Sequence, residues 1–281
     1  MSASVSASAS VSVPVLVPVW YDRCMSDPTI LSSLDSEGVL TLTMNRPSRR
    51  NAFNSEGFLA LGRAFAEANE DPRVAVVLLT GAGDDFSSGL DLSAIDMSRD
   101  GEPPFERMMD AICAFEKPLV CAAKGCAIGF GATVLFHADV VYLGQSTTLR
   151  FPFASLGLVT EAAAAYLGPA TIGYKQAAEL LFTAERFDAQ KALEYGIATR
   201  VLPDDELLPT AVGKAREMAQ WPVESLVEIK RIMKAMHGDK VARARKLEME
   251  GFEKLMGSPA NMEAFAAFME RRTADFKQFR K

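Results

Sequence analysis

The chain reads as an α/β protein with a helical C-terminal part. Buried-strand runs alternate with segments of helical period through the first half, and from residue 161 onward helical periodicity dominates. No repeat recurs at a fixed period.

In order, residues 1–24 stand apart. Ser, Ala and Val alternate to Val13, and Val-Pro repeats run to Trp20, which argues against helix. The segment lacks the basic start of a secretory signal and the arginines of a transit peptide. Met25 opens Met-Ser-Asp-Pro, a plausible start, so residues 1–27 are expected to be a disordered extension, or residues 1–24 to precede the true start, with targeting as the alternative. Alternation from Thr29 to Asn45 predicts a hairpin turning at Ser36-Glu37-Gly38. Ser55 to Asn69 carries the helical period and stops at Asp71-Pro72. Val74–Thr80 and Leu119–Ala123 are continuous apolar runs, hence buried strands, and Pro104–Phe115 between them predicts a helix. A Gly-rich turn at 125–131 leads into a helix ending near Ala138, and Val140–Leu143 predicts another strand. Further helices are expected at 162–168, 173–182, 188–194, 204–219, 223–236, 239–256 and 260–279, with a short strand near 198–202. Apolar stripes on the last two helices suggest docking on a neighbouring subunit or on the chain's own core.

Composition excludes several classes. Apolar residues make up 49%, enough for a full core, and no apolar run is long enough to span a bilayer. A net charge of −6 argues against general nucleic-acid binding. The basic C-terminal residues Lys214, Lys230, Arg231, Lys234, Lys240, Arg243 and Lys246 read as mainly solvated helix faces. Cys24, Cys113, Cys121 and Cys126 show no metal-ligand spacing. With only His137 and His237, a Ser-His-Asp triad has little to draw on, and His137 reads as a core residue.

Three stretches carry chemistry. In Phe151-Pro-Phe-Ala-Ser-Leu-Gly-Leu-Val-Thr-Glu161, one carboxylate stands among apolar residues. Gly157 permits a tight bend, Thr160 could cap, and the alanines after Glu161 favour helix, so Glu161 is expected in a first helical turn. It is either a solvated carboxylate at the helix dipole or a general base held dry beside a substrate. Phe86-Ser-Ser-Gly-Leu-Asp91 and Gly125-Cys-Ala-Ile-Gly-Phe-Gly131 both follow buried strands. Neither fits a dinucleotide or Walker pattern; a pair of backbone N–H groups, one from each loop, suits an oxyanion better.

With Asn45-Arg-Pro-Ser-Arg-Arg-Asn-Ala52 added ahead of them, these motifs resemble the crotonase (enoyl-CoA hydratase/isomerase) superfamily over about residues 28–280. The resemblance implies a spiral of ββα turns over residues 28–202, a helical trimerisation region over 203–281, and a homotrimer or dimer of trimers. It implies an acyl-CoA thioester as substrate, with no resident cofactor and no metal, its carbonyl held by the N–H groups of Ser88 and Phe130. Phe130 stands where glycine is commoner, so its ring is expected to narrow the acyl tunnel. Arg46, Arg49, Arg50, Asn51 and Ala52, then Ser87, Ser88, Gly89, Leu90 and Asp91, then Gly129 and Phe130, are the implied CoA-binding residues; a solvated basic turn is the alternative for any one arginine. Thr133, Phe153 and Leu158 are the implied acyl pocket.

The hydratases of that family use two glutamates, whose places here hold Thr133 and Phe153. The run from Pro152 to Glu161 is instead similar to the Δ3,Δ2-enoyl-CoA isomerases of the peroxisomal branch, whose single catalytic glutamate matches Glu161. The expectation is therefore an isomerase of fatty-acid β-oxidation; a hydratase or a non-catalytic acyl-CoA-binding trimer are the alternatives. The ending Gln-Phe-Arg-Lys281 is not a Ser-Lys-Leu-type signal, so cytoplasm is favoured over peroxisome or mitochondrion.

Overall fold

The computed structural model describes residues 28–94 and 102–280; the expected N-terminal extension lies outside them. The hairpin forms as expected, β1 (Ile30–Leu34) running antiparallel to β2 (Val39–Met44) with Gly38 left-handed at the turn. Helix α1 (Ser55–Glu70) is capped by Asn54, whose side chain accepts from the Gly57 N–H. Strand β3 (Val76–Gly81), helix α2 (Pro104–Ala114) and strand β4 (Leu119–Ala123) follow.

Next come β5 (Cys126–Ile128), the short helix α3 (Phe130–Thr133), β6 (Val140–Gly144) and β7 (Thr148–Arg150). Helices α4 (Ala164–Ile172) and α5 (Tyr174–Thr183) precede β8 (Arg186–Asp188), α6 (Ala189–Tyr195) and β9 (Arg200–Leu202). Four helices close the chain: α7 (Asp204–Ala219), α8 (Val223–Ala235), α9 (Lys240–Leu255) and α10 (Pro259–Met269).

One sheet has the order β1-β2-β3-β4-β6-β9, parallel from β2 onward. The central strands β3 and β4 carry continuous buried apolar runs, Val76–Leu79 and Leu119–Ala123, because both faces are covered. Val77, Leu79 and Cys121 pack toward α1 and α2; Val76, Leu78 and Val120 pack toward Leu207, Ala211 and Ala215 of α7. A second sheet, β5-β7-β8, has no counterpart in the sequence reading. Each of its strands is three residues long, too short for a period to show.

Two expectations fail at the C-terminal end. The last helix stops at Met269 rather than near 279: Arg271 is left-handed (φ 54), and Arg272 folds back onto Glu263. Lys230 is also not solvated, for it is 8% exposed and bonds Asp139 at 2.7 Å and the Lys117 carbonyl at 2.9 Å. Among the described residues no helix is long and apolar enough to cross a membrane.

Candidate active site

The two glycine turns are stitched side by side. The Ser87 N–H donates to the Cys126 carbonyl and the Ile128 N–H returns to the Ser87 carbonyl, each at 2.9 Å. Gly89 and Gly129 meet at the crossing: a Cβ on Gly89 would lie 2.6 Å from the Ile128 carbonyl and 3.5 Å from the Gly129 Cα. Both have positive φ, so no other residue fits without strain.

The residue after each glycine presents an unused N–H. The N–H groups of Leu90 and Phe130 have no acceptor among the described residues. Ser88, the expected first oxyanion donor, instead gives its N–H to the Arg50 carbonyl at 2.9 Å. Gly89 separates the engaged amide from the free one, so the pair of amides available to an oxyanion is Leu90 and Phe130. Sequence reasoning places Leu90 in the loop without that role.

The Phe130 ring does not project into a tunnel. It is 2% exposed, edge-on to Phe53, Phe58 and Phe105 with centroids 5.2–5.8 Å away.

Most of the implied CoA-binding residues hold the loops together. Asn51 is buried and left-handed; its side chain accepts from the Arg46 N–H and donates to the Ala82 and Asp85 carbonyls. Arg46 pairs with Asp91 at 3.0 Å and also bonds the Ala52 carbonyl. Hydrogen bonds from Ser93 and Arg46 hold the Asp91 carboxyl below the usual range. Arg50 makes a two-pronged pair with Asp85, whose carboxyl is held down at about 2. The Ser87 hydroxyl bonds the Asn51 carbonyl at 2.8 Å. Arg49 alone of the three arginines is exposed with no acidic partner among the described residues, leaving it free for a phosphate.

Glu161 is not in a helical turn. Ala162 and Ala163 follow it with φ 57° and 58°, and α4 begins only at Ala164. A left-handed alanine costs roughly 1–2 kcal/mol, so two in succession need support from outside. Two side chains provide it. The Ala162 carbonyl lies 2.7 Å from Nε2 of His137; a carbonyl only accepts, so Nε2 carries the proton. Burial pushes His137 down to about 4, which keeps the ring neutral. From α9, Glu248 accepts the Ala163 N–H at 2.7 Å and the Ala165 N–H at 2.8 Å, replacing the cap that an alanine cannot supply. Thr160 does not cap; its hydroxyl is buried without a partner.

The environment of Glu161 is acidic as well as apolar. Burial first, then the charges of Glu248 and Glu106, push its carboxyl up to about 8. Burial likewise raises Glu248 to about 7, against the pull of its two backbone hydrogen bonds. Glu106 is itself tied to Arg245 of α9 at 2.6 Å, and its neighbour Phe105 packs on Phe130. The start of α2 thus links the acid to the amide side of the site.

Beyond this turn lies a mostly apolar cavity of about 400 Å³, walled by Phe153, Leu158, Ala177, Leu181 and Phe182, with Thr160 and Glu248 at its edge. Phe153 and Leu158, two of the three residues expected in an acyl pocket, both line this cavity. Thr133 is not part of this wall; it is fully buried in α3, its hydroxyl 3.4 Å from the Phe130 carbonyl. Asn261 of α10, which carries no sequence signal, anchors the Gly157 bend through the Leu156 carbonyl at 2.8 Å.

Comparison with known proteins gives a consistent picture. The sequence profile of the family described as "Enoyl-CoA hydratase/isomerase" matches residues 35–280. The 1,2-epoxyphenylacetyl-CoA isomerase of Escherichia coli K12 is 30% identical over 257 residues, covering 88% of this chain and 97% of its own. The enoyl-CoA delta isomerase 2 of Rattus norvegicus is 28% identical over 246 residues, 84% of this chain and 63% of its own. The crystal structure of an enoyl-CoA hydratase/isomerase from Pseudoalteromonas atlantica T6c superposes with a TM-score of 0.85 at 36% identity, covering 88% and 99% of the two chains.

Proposed function

The chain belongs to the enoyl-CoA hydratase/isomerase family, and within it we propose that it is a Δ3,Δ2-enoyl-CoA isomerase acting on a fatty acyl thioester in β-oxidation. The observation that carries this reading is Glu161, an acid of raised proton affinity on a clamped turn, with no acidic residue at either glutamate place of the hydratases.

The chemistry follows from one acid and two amides. Ionised Glu161 takes a proton from C2 of a 3-enoyl-CoA. The electron pair moves into the thioester, and the negative oxygen accepts hydrogen bonds from the Leu90 and Phe130 N–H groups. The double bond shifts to C2–C3 as the same carboxyl returns the proton at C4. A carboxyl with a raised pKa suits both halves, because it is a stronger base when ionised and an available acid afterwards. An oxyanion donor contributes about 10²–10³ in rate. The apolar cavity beside Thr160 suits the acyl tail, and Arg49 suits a CoA phosphate. No resident cofactor or metal is needed. Exposed apolar side chains on α8 to α10, among them Met233, Leu247, Met262 and Phe268, suit burial in a homotrimer.

One observation favours hydration instead: Glu248 brings a second carboxyl of raised pKa beside Glu161, and adding water needs both a base and an acid. The deciding experiment incubates wild type and Glu161→Gln with a 3-enoyl-CoA and, separately, with a 2-enoyl-CoA. Isomerisation that dominates in wild type and falls by orders of magnitude in the variant supports the proposal. Hydration as fast as isomerisation in wild type overturns it.

A further inference from the structure

We propose that Glu248 is the positioning residue for Glu161: from α9 its carboxylate clamps the left-handed Ala162–Ala163 turn that presents the catalytic acid, and its charge makes the two carboxyls titrate as a pair. This deepens the isomerase reading and rests on Glu161 being the acid–base.

The geometry carries the proposal. The turn is held at two points. His137 fixes the Ala162 carbonyl, and Glu248 fixes the next amide, that of Ala163, together with the amide of Ala165. Ala163 is fully buried, so water cannot take over its bond, whereas Ala165 is exposed; the clamp on the buried amide is the one nothing else supplies. Nothing local replaces the clamp, because the cap position is an alanine and the Thr160 hydroxyl is unpartnered. Glu248 is 7% exposed and reaches the same cavity edge as Thr160.

Arg245 pulls on Glu248 through space, but its ion pairs go elsewhere. On α2 stand Glu106 and Asp110, and on α9, one turn before Glu248, Arg245. Arg245 is already committed to Glu106 at 2.6 Å and Asp110 at 2.7 Å. On the segment after α3, His137 is neutral. Lys230 and Lys234 on α8 bond Asp139 and the Cys113 carbonyl. His237 is engaged with the Tyr166 hydroxyl at 3.1 Å, and Lys240 lies over the Tyr166 ring. No ion pair to Glu248 or Glu161 occurs among the described residues. Glu248 is the foremost charge acting on Glu161, while Glu248 itself also feels Glu106 and Arg245; because a charge interaction is reciprocal, the two carboxyls take up and lose protons in coupled steps.

The test uses the full-length protein with glutamate carboxyl carbons labelled with ¹³C. Carboxyl resonances are followed from pH 4 to 10, the Glu161 and Glu248 signals being assigned by their loss in Glu161→Gln and Glu248→Gln. In wild type both signals are expected to shift in two steps, each sensing the other. Glu248→Gln keeps the size but removes the charge, so the Glu161 midpoint should fall by about one pH unit, a roughly tenfold drop in proton affinity. The rising limb of kcat/KM with a 3-enoyl-CoA should move down by the same amount. Glu248→Asp keeps the charge but is too short to reach both amides. It should lower kcat at least tenfold, with KM within a few fold and the pH limb unmoved. A merely structural residue would reduce the active fraction and leave the limb in place for both variants.

The proposal is overturned if the two wild-type signals titrate independently, a result that needs no variant of Glu248 to be active. It is also overturned if Glu248→Gln leaves both the Glu161 midpoint and kcat within twofold of wild type. Retained isomerase activity in Glu161→Gln would instead remove the proposed role of Glu161, while the titrations would still decide whether the carboxyls are coupled.

Discussion

Replacing Glu161 by glutamine should stabilise the protein increasingly as pH rises above about 4.5, and most fully above about 8. Its carboxyl is moved from an ordinary 4.5 to about 8 by burial and by the charges of Glu248 and Glu106. The folded state therefore binds the proton more tightly than the unfolded chain. Stability is fully present below pH 4.5 and is lost as pH rises through about 8. A displacement of that size has a ceiling of about 5 kcal/mol, because each unit is worth about 1.36 kcal/mol. Water reaching this half-buried carboxyl raises the effective dielectric, so about 2 kcal/mol is the realistic loss. The glutamine side chain has the same shape and no proton to lose. The variant should melt within a degree or two of wild type at pH 5 and on the order of 5 °C higher at pH 9. The assay is thermal unfolding by circular dichroism of both proteins at the two pH values. An equal difference at pH 5 and pH 9 would refute a buried, proton-loving Glu161, whatever the activity data show. Opposite effects on stability and catalysis in one variant are the signature of an acid kept in an unfavourable place for chemistry.

Three other perturbations test the frame around the acid. Gly89→Val should abolish acyl-CoA binding in calorimetry and lower the melting temperature, since its Cβ would stand 2.6 Å from the Ile128 carbonyl at φ 83°. His137→Leu leaves the buried Ala162 carbonyl without a donor and should cost about 1–3 kcal/mol in urea titrations, together with isomerase kcat. The double change Thr133→Glu with Phe153→Glu should give weak hydration of a 2-enoyl-CoA, read as loss of its conjugated absorbance. It should also lower stability, because Thr133 is fully buried and two nearby acids repel.

Local signals are legible where they are strong and self-consistent. Helix α1 starts one residue after its Asn54 cap, and β4 spans the run Leu119–Ala123 read from its buried pattern. The strands of the second sheet leave no trace because Thr148–Arg150 and Arg186–Asp188 are too short for any period to register. The turn after Glu161 departs from the expected helix for a different reason. A run of alanines has the highest helical propensity, and here long-range bonds from His137 and Glu248 override it at two positions. Ser88 loses its expected role because spacing does not reveal which amides are already used; the bond to the Arg50 carbonyl exists only once Arg50 and Asn51 turn left-handed.

The same long-range bonds mean that the C-terminal helices are not a passive appendage to the site. The segment from Phe153 to Ala163 has little regular structure of its own and is bent at Gly157, Ala162 and Ala163. Each bend is secured from far along the chain. Asn261 of α10 donates to the Leu156 carbonyl, and a Cβ on Gly157 would lie 2.9 Å from the Asn261 N–H nitrogen. Gly251 of α9 lets Val159 approach so closely that a Cβ there would stand 3.0 Å from its methyl group. Glu248, one turn earlier on α9, takes the amides after Glu161. Residues at 248, 251 and 261 therefore fix the path of residues 156–165, and with it the direction in which the acid points. The glycine turns that offer the Leu90 and Phe130 amides are fixed independently, by the sheet and by the Arg46–Asp91 and Arg50–Asp85 pairs. Acid and amides thus sit on two separately built supports, and their relative placement depends on how α9 packs against α2 through Arg245, Glu106 and Asp110.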